Sequence, residues 1–328
     1  MNISTSYMGL NLKNPLIGSS SPLWTSMDNI KRFEDSGGAA LVLHSLFEEQ
    51  IEISAHCSQS TVTNGEAEYL TYLPDFGLYG FGADHYLSHL QKAKSAVAIP
   101  VIASINGVTT GGWVECAKEV QRCGADALEL NIYDIAEDLS VPCAAVENRL
   151  FDLIREVRRS VTLPLAVKID CFFSSIPNVV ARIEECGVDA VVLFNRLYQP
   201  DIDLRTFEFL PRIRLSTSGE LGVRLHWLGV LREKVKIDMA VTGGVHSSED
   251  VVKCIVAGAD GVMMTSAILR RGTGYVTEVI AGLERWLEYH GYSSFGQLKG
   301  ILPTISSQHL KSQQRINYLR VLGSFVEY

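Results

Sequence analysis

The sequence predicts an α/β fold, a (β/α)8 barrel built as a single domain over 1–328. Three observations predict it. Eight short apolar runs begin near 15, 39, 100, 127, 163, 190, 239 and 261, and each is followed by a helical stretch. Strict strand-then-helix alternation with right-handed crossovers gives a parallel sheet. The runs are apolar almost throughout, as strands covered on both faces must be. Eight such units favour closure over an open doubly wound sheet, and the turn after the first strand agrees. It reads Gly18-Ser19-Ser20-Ser21, which is not the G-x-G-x-x-G of dinucleotide folds.

In chain order, Pro15–Ile17 is the first strand, and a helix from about Met27 to Ser36 closes on Gly37-Gly38. The second strand, Ala39–Leu43, ends on His44-Ser45. The segment 46–81 that follows has no clean period and is too long for an ordinary βα loop, so it is expected to be a lid or an interface. A helix at Ala83–Ala96 leads to the strand Pro100–Ile105, and one at Thr109–Cys123 to Ala127–Leu130. Ala144–Ser160, Leu163–Ile169, Ile176–Cys186 and Ala190–Phe194 continue the alternation. A loop through Leu221 and a helix to about Lys234 precede the last two strands, Met239–Val241 and Gly261–Met264. Between those strands Ser247 or Ser248 caps a helix with Glu249 and Asp250 in its first turn. A helix at Thr277–Tyr289 and a mixed extension over 290–328 finish the chain.

Composition narrows the function. The formal net charge is −8 and no basic block is present, which argues against nucleic acid and anionic membranes as partners. No apolar run reaches transmembrane length and Met1-Asn2-Ile3-Ser4 opens no signal peptide, so a cytoplasmic protein is expected. The 7 cysteines form no C-x-x-C pair, so neither a metal knot nor an iron–sulfur cluster is suggested; they are expected to be reduced, buried and apolar in behaviour.

In a barrel of this kind, chemistry gathers where strands end. Those ends carry Ser19-Ser20, His44-Ser45, Asn106, Asn131, Lys168, Asn195, Thr242-Gly243-Gly244 and Thr265-Ser266. The last two turns end neighbouring strands in small residues, whose N–H groups can converge on one anion. Taken alone, those residues equally suit an ordinary βαβ unit with tight turns. Three asparagines offer the paired donor and acceptor that match the edge of a flavin or a pyrimidine. Each is also a common turn former. Lys168 lies within L-A-V-K-I, where a charge pointing inward needs a partner such as an electron-rich ring.

The ordered set Asn14-Pro15, L-E-L-N at 128–131, A-V-K at 166–168, L-F-N at 193–195, T-G-G-V at 242–245 and A-G-A-D-G-V-M-M-T-S-A-I-L at 257–269 resembles the FMN-binding barrel of dihydroorotate dehydrogenases, from about Asn11 to Gly300. The resemblance implies FMN at the barrel mouth, its phosphate on Gly243, Gly244, Thr265 and Ser266, with Thr242 also in the cofactor site. It implies Ser19, Ser20, His44, Asn106, Asn131 and Lys168 around the ring, and oxidation of dihydroorotate to orotate in pyrimidine biosynthesis. In that chemistry a base takes the C5 proton while a hydride leaves C6 for the flavin. The soluble branch of the family further implies a homodimer. Its membrane-associated branch carries an additional N-terminal helical segment, so quinone is not the expected oxidant here; fumarate and a separate electron-transfer protein are both open.

The substrate half of the pattern departs from the family. The base motif N-x-S-[CS]-P-N is replaced by Asn131-Ile132-Tyr133-Asp134-Ile135-Ala136, which puts Asp134 at the base position. Its other reading is a solvated loop carboxylate. His44 stands where a lysine is usual, and Pro74-Asp75-Phe76-Gly77-Leu78 replaces the N-x-M-G loop. Asn195 matches a substrate-gripping asparagine, and Arg196 beside it suits a carboxylate or a loop acid such as Asp201 or Asp203. Catalysis is therefore expected from Asp134, Lys168 and Asn195. Three other readings stand beside this one. They are an FMN oxidoreductase acting on another cyclic amide or unsaturated carboxylate, a non-catalytic flavin-binding subunit, and a flavin-free aldolase or isomerase using Lys168.

Overall fold

The computed structural model describes residues 1–48, 50, 82–106, 112–133, 136–196, 200–210, 214–302 and 307–323. Eight parallel strands close into a barrel: β3 (Leu16–Gly18), β4 (Ala40–Phe47), β5 (Val101–Asn106), β6 (Ala127–Asn131), β7 (Leu165–Ile169), β8 (Ala190–Leu193), β11 (Asp238–Thr242) and β12 (Gly261–Met264), with β12 pairing back onto β3. The described helices between strands are α1 (Met27–Asp35), α2 (Gly82–Ala96), α3 (Trp113–Arg122), α4 (Cys143–Ser160), α5 (Ile176–Glu185), α6 (Leu221–Leu231) and α7 (Ser248–Ala257). After β12 come α8 (Ser266–Arg271), α9 (Tyr275–His290) and α10 (Ser307–Gly323). The expected barrel is therefore present, with boundaries shifted by a few residues at most of the element ends.

Inside the barrel the strands contribute small side chains. Ala40, Ala127, Ala166, Ala190 and Ala240 face the axis, and the space is filled by Ile17, Val42, Ile102, Val192 and Met263. From below, a hairpin of β1 (Thr5–Tyr7) and β2 (Leu10–Leu12) pushes Tyr7, Met8 and Leu12 into the same inner core. This plug has no clear periodicity in the sequence. Gly261 is needed above it, since a Cβ there would meet Ile17 Cδ1 at 2.8 Å and Tyr7 Cγ at 3.5 Å. The alternate strand positions, such as Leu41, Leu43, Val101 and Leu128, pack outward into the larger core beneath the helices.

Local signals explain the helix ends. Ser247 caps α7 by accepting from Asp250 N, and Asp250 completes a reciprocal capping box. Gly258, with φ +112°, ends the helix in a left-handed cap. A second hairpin, β9 (Asp201–Asp203) with β10 (Glu208–Leu210), rises from the connection after β8. Among the described residues no helix is long and apolar enough to cross a membrane. The expected long segment begins later than 46, because β4 continues through Phe47; 49 and 51–81 lie outside the described residues.

The cysteines depart from the expected uniform burial. Cys116, Cys186 and Cys254 are buried, Cys123 and Cys171 half-buried, and Cys143 is exposed at the first turn of α4. Cys57 lies outside the described residues.

Candidate active site

Polar side chains converge at the C-terminal rim of the barrel because the strands end there on small and amide residues. Ser45 Oγ, near the end of β4, is 2.8 Å from Ser104 Oγ of β5 and 3.3 Å from Ser20 Oγ just past β3. Asn131, the last residue of β6, donates from Nδ2 to Ser45 Oγ at 3.3 Å. Its Oδ1 accepts from Asn195 Nδ2, beyond β8, at 2.7 Å. One hydrogen-bonded chain thus links five strand ends. Asn106 is buried at the end of β5, in register with Asn131, which is itself in register with Lys168 of β7.

Lys168 has a protein partner that the sequence reading did not name. Its Nζ lies 3.5 Å from Glu129 Oε1, with both side chains buried. Neither Glu129 oxygen accepts a hydrogen bond, and the hydroxyl of Tyr7 is likewise buried without one. Burial first, and then the Glu129 carboxylate, pushes the Tyr7 phenol well above its ordinary value. The signal for Glu129 was present in L-E-L-N, a charge at an inward position of an apolar strand.

The Thr242-Gly243-Gly244 and Thr265-Ser266 turns adjoin this rim. Thr242 Oγ1 meets Ser19 Oγ at 3.3 Å, joining the ends of β11 and β3. Gly243 and Gly244 have φ of +86° and +85°. A Cβ on Gly244 would stand 2.6 Å from Leu221 N, so glycine is required there on two counts. Ser216 bridges the two turns: its N–H donates to Ser266 Oγ at 3.1 Å, and its Oγ accepts from Gly244 N at 3.2 Å. Thr265 caps α8, and its carbonyl accepts from Leu269 N. Arg224 of α6 is buried beneath Gly243 and donates from Nε to Thr242 O at 3.1 Å. Ser216 and Arg224 sit in stretches with no motif, which is why the sequence did not single them out.

Two expectations are corrected. His44 does not face the ring position assigned to it. A register shift between Val42 and Ser45 turns it toward α2, where its ring packs 5.3 Å from Tyr86 and 5.4 Å from His89. Ser45 takes the rim position instead. Arg196 pairs neither with Asp201 nor with Asp203; its Nη2 lies 3.3 Å from Glu220 Oε1, while Asp201 pairs with Arg214 and Asp203 with Arg205. Asp134 and the 74–78 loop lie outside the described residues. A cavity of about 500 Å³ is lined by Ile132, Cys143, Arg149, Ile169, Asp170 and Phe173. Burial raises the Asp170 carboxyl above its ordinary value, partly offset by the hydrogen bond from Phe172 N.

The buried His44 gives a pH dependence. Burial, and then the nearby His89 and His85, lower its imidazole from 6.5 to about 4. The unfolded chain therefore takes up this proton before the folded chain does. The contribution to stability is complete above pH 6.5 and is lost as pH falls toward 4, by at most roughly 3 kcal/mol. Urea unfolding of wild type and His44→Gln at pH 7 and pH 4.5 checks it. The variant is expected to lose less stability across that interval, and equal losses in the two proteins would sink the assignment.

A sequence profile described as dihydroorotate dehydrogenase matches residues 2–287. Among curated proteins, the chain is similar to the dihydroorotate dehydrogenase B (NAD(+)) catalytic subunit of Methanosarcina acetivorans, 29% identical over 299 residues, covering 89% of this chain and 94% of the relative. The protein of the same description from Thermoplasma acidophilum is 24% identical over 305 residues, 91% of this chain and 98% of the relative. That from Methanocaldococcus jannaschii is 25% identical over 279 residues, 82% and 88% respectively.

Proposed function

This chain belongs to the dihydroorotate dehydrogenase family, and from that premise we propose that it is an FMN-dependent oxidoreductase of pyrimidine biosynthesis that oxidises dihydroorotate to orotate. The observation that carries the reading is the rim itself: a hydrogen-bonded chain of serines and asparagines at the strand ends, with Lys168 in register with Asn131, and a Gly-Gly turn at the end of β11. The residues fit the cofactor. Gly243 and Gly244, held at positive φ with the start of α6 packed against Gly244, keep the turn free of side chains, and amides, hydroxyls and an ammonium suit the carbonyl and imide edge of an isoalloxazine. In this reading Gly243, Gly244, Thr265 and Ser266 hold the phosphate, and Ser19, Ser20, Asn106, Asn131 and Lys168 hold the ring. When bound, FMN would supply the hydride acceptor for the C6 hydrogen of the substrate.

The chain's own residues do the rest. Asn131 and Asn195 form one hydrogen-bonded pair, so an amide pair already oriented meets the substrate and little side-chain entropy is lost on binding. Lys168 places a positive charge at the centre of the rim, where electron density accumulates during the reaction. Asp134 takes the C5 proton. Turnover of Asp134→Asn is expected to fall by about 10²–10⁴-fold, with Asp170→Asn, the half-buried carboxyl lining the cavity, retaining most of it. The reverse order would move the role of base to Asp170.

Partners and location follow from the same reading. The relatives are dihydroorotate dehydrogenase B (NAD(+)) catalytic subunits, which supports a separate electron-accepting subunit for this chain. We place the protein in the cytoplasm as a homodimer. The test is an absorption spectrum of the purified protein, followed by anaerobic addition of dihydroorotate. A yellow protein that bleaches is expected. One that stays yellow would shift the substrate to another cyclic amide or unsaturated carboxylate. A colourless protein inactivated by borohydride with a carbonyl substrate would replace the proposal with Lys168 Schiff-base chemistry.

A further inference from the structure

We propose that Arg224 is the counter-charge for a phosphate monoester seated at the Gly243–Gly244 turn. The inference rests on the FMN reading above and assigns to its phosphate end a residue outside every motif.

Arg224 lies in the first turn of α6 and is only 7% exposed. Its hydrogen bonds to protein go to main-chain carbonyls: Nε to Thr242 O at 3.1 Å and Nη1 to Glu220 O at 2.9 Å. Both acceptors are neutral. Among the described residues no carboxylate forms an ion pair with it, because the nearest acid by sequence, Glu220, pairs with Arg196 at 3.3 Å. Two guanidinium charges thus share one carboxylate, and one positive charge is left over. Nη2 points at the turn, 2.9 Å from where a Cβ on Gly243 would stand.

A guanidinium buried without an anion is costly, since its hydration is lost and no opposite charge replaces it. Burial lowers the Arg224 pKa, and the Glu220 carboxylate it shares with Arg196 offsets this only in part. The surrounding turn carries the hydroxyls of Ser216 and Ser266, which can donate to an anion but do not neutralise it. A phosphate at this turn would gain a buried counter-charge, and Arg224 would gain the anion it lacks. A clamp role, in which Arg224 only holds the turn through Thr242 O, predicts no preference for a phosphorylated ligand.

FMN and riboflavin separate the two, because they share the ring and differ by the phosphate. The flavin-free holo-length protein is titrated with each, by quenching of flavin fluorescence, for wild type, Arg224→Gln and Arg224→Lys. Arg224→Gln is expected to weaken FMN by about 10- to 100-fold and to leave riboflavin unchanged. Arg224→Lys, which keeps the charge and loses the fork, is expected to retain most of the preference for FMN. Equal weakening of both flavins, or no change in either, overturns the proposal. Should Arg224→Gln not fold, Arg224→Lys decides: a clamp loses both flavins alike, and a counter-charge keeps the preference. If wild type binds neither flavin, it is the FMN reading that fails.

Discussion

Lys168→Met is expected to lower the unfolding free energy by about 3–5 kcal/mol and to abolish turnover. The stability loss does not come from the missing packing, since methionine fills nearly the same volume. It comes from Glu129, which is fully buried and has neither oxygen hydrogen-bonded. With Nζ at 3.5 Å, the lysine is the only cation in an ion pair with that carboxylate among the described residues. Remove it, and an uncompensated charge stays inside the barrel, next to the buried Tyr7 hydroxyl. The double variant Lys168→Met/Glu129→Leu removes both charges and is expected to recover most of the lost stability while staying inactive. Urea midpoints with constant slope measure this. If the single and double variants unfold at the same urea concentration, the pair is not coupled and the argument for a buried charged centre collapses.

The second large effect is at the Gly243–Gly244 turn. Gly244→Ala is expected to cost on the order of 3 kcal/mol and to lose flavin. At φ +85° an alanine is strained by its conformation alone. Its Cβ would also stand 2.6 Å from Leu221 N, 3.0 Å from Leu221 Cα and 3.1 Å from Glu220 C. All three are main-chain atoms, so no side-chain rotation relieves the clash. Relief requires the start of α6 to move, and with it Arg224. Gly219→Ala is the control: its nearest neighbour would be Thr217 Oγ1 at 3.6 Å, and the change is expected to stay within about 0.5 kcal/mol. Comparable losses in the two variants would mean that the turn is not sterically defined by Gly244.

The sequence by itself determined the barrel and which residues stand at the ends of its strands. Apolar runs such as Leu165–Ile169, punctuated by turns such as Thr242-Gly243-Gly244, record burial and backbone sterics, which act between neighbours in the chain. For the same reason Asn131, Lys168 and Asn195 could be placed at strand ends before any contact was known. Pairing across strands was decided only by the tertiary structure. The shift between Val42 and Ser45 exchanged His44 for Ser45 at the rim, because side chains alternate faces and one slip inverts them. Glu129 meets Lys168 only because β6 and β7 are adjacent and in register. Arg196 chose Glu220, 24 residues away, over the loop acids nearby in sequence. Arg224 and Ser216 reach the Gly243–Gly244 turn across the connection from α6 to β11 and the loop before α6. Such partners depend on closure of the ring of strands, a long-range geometry that no local pattern encodes.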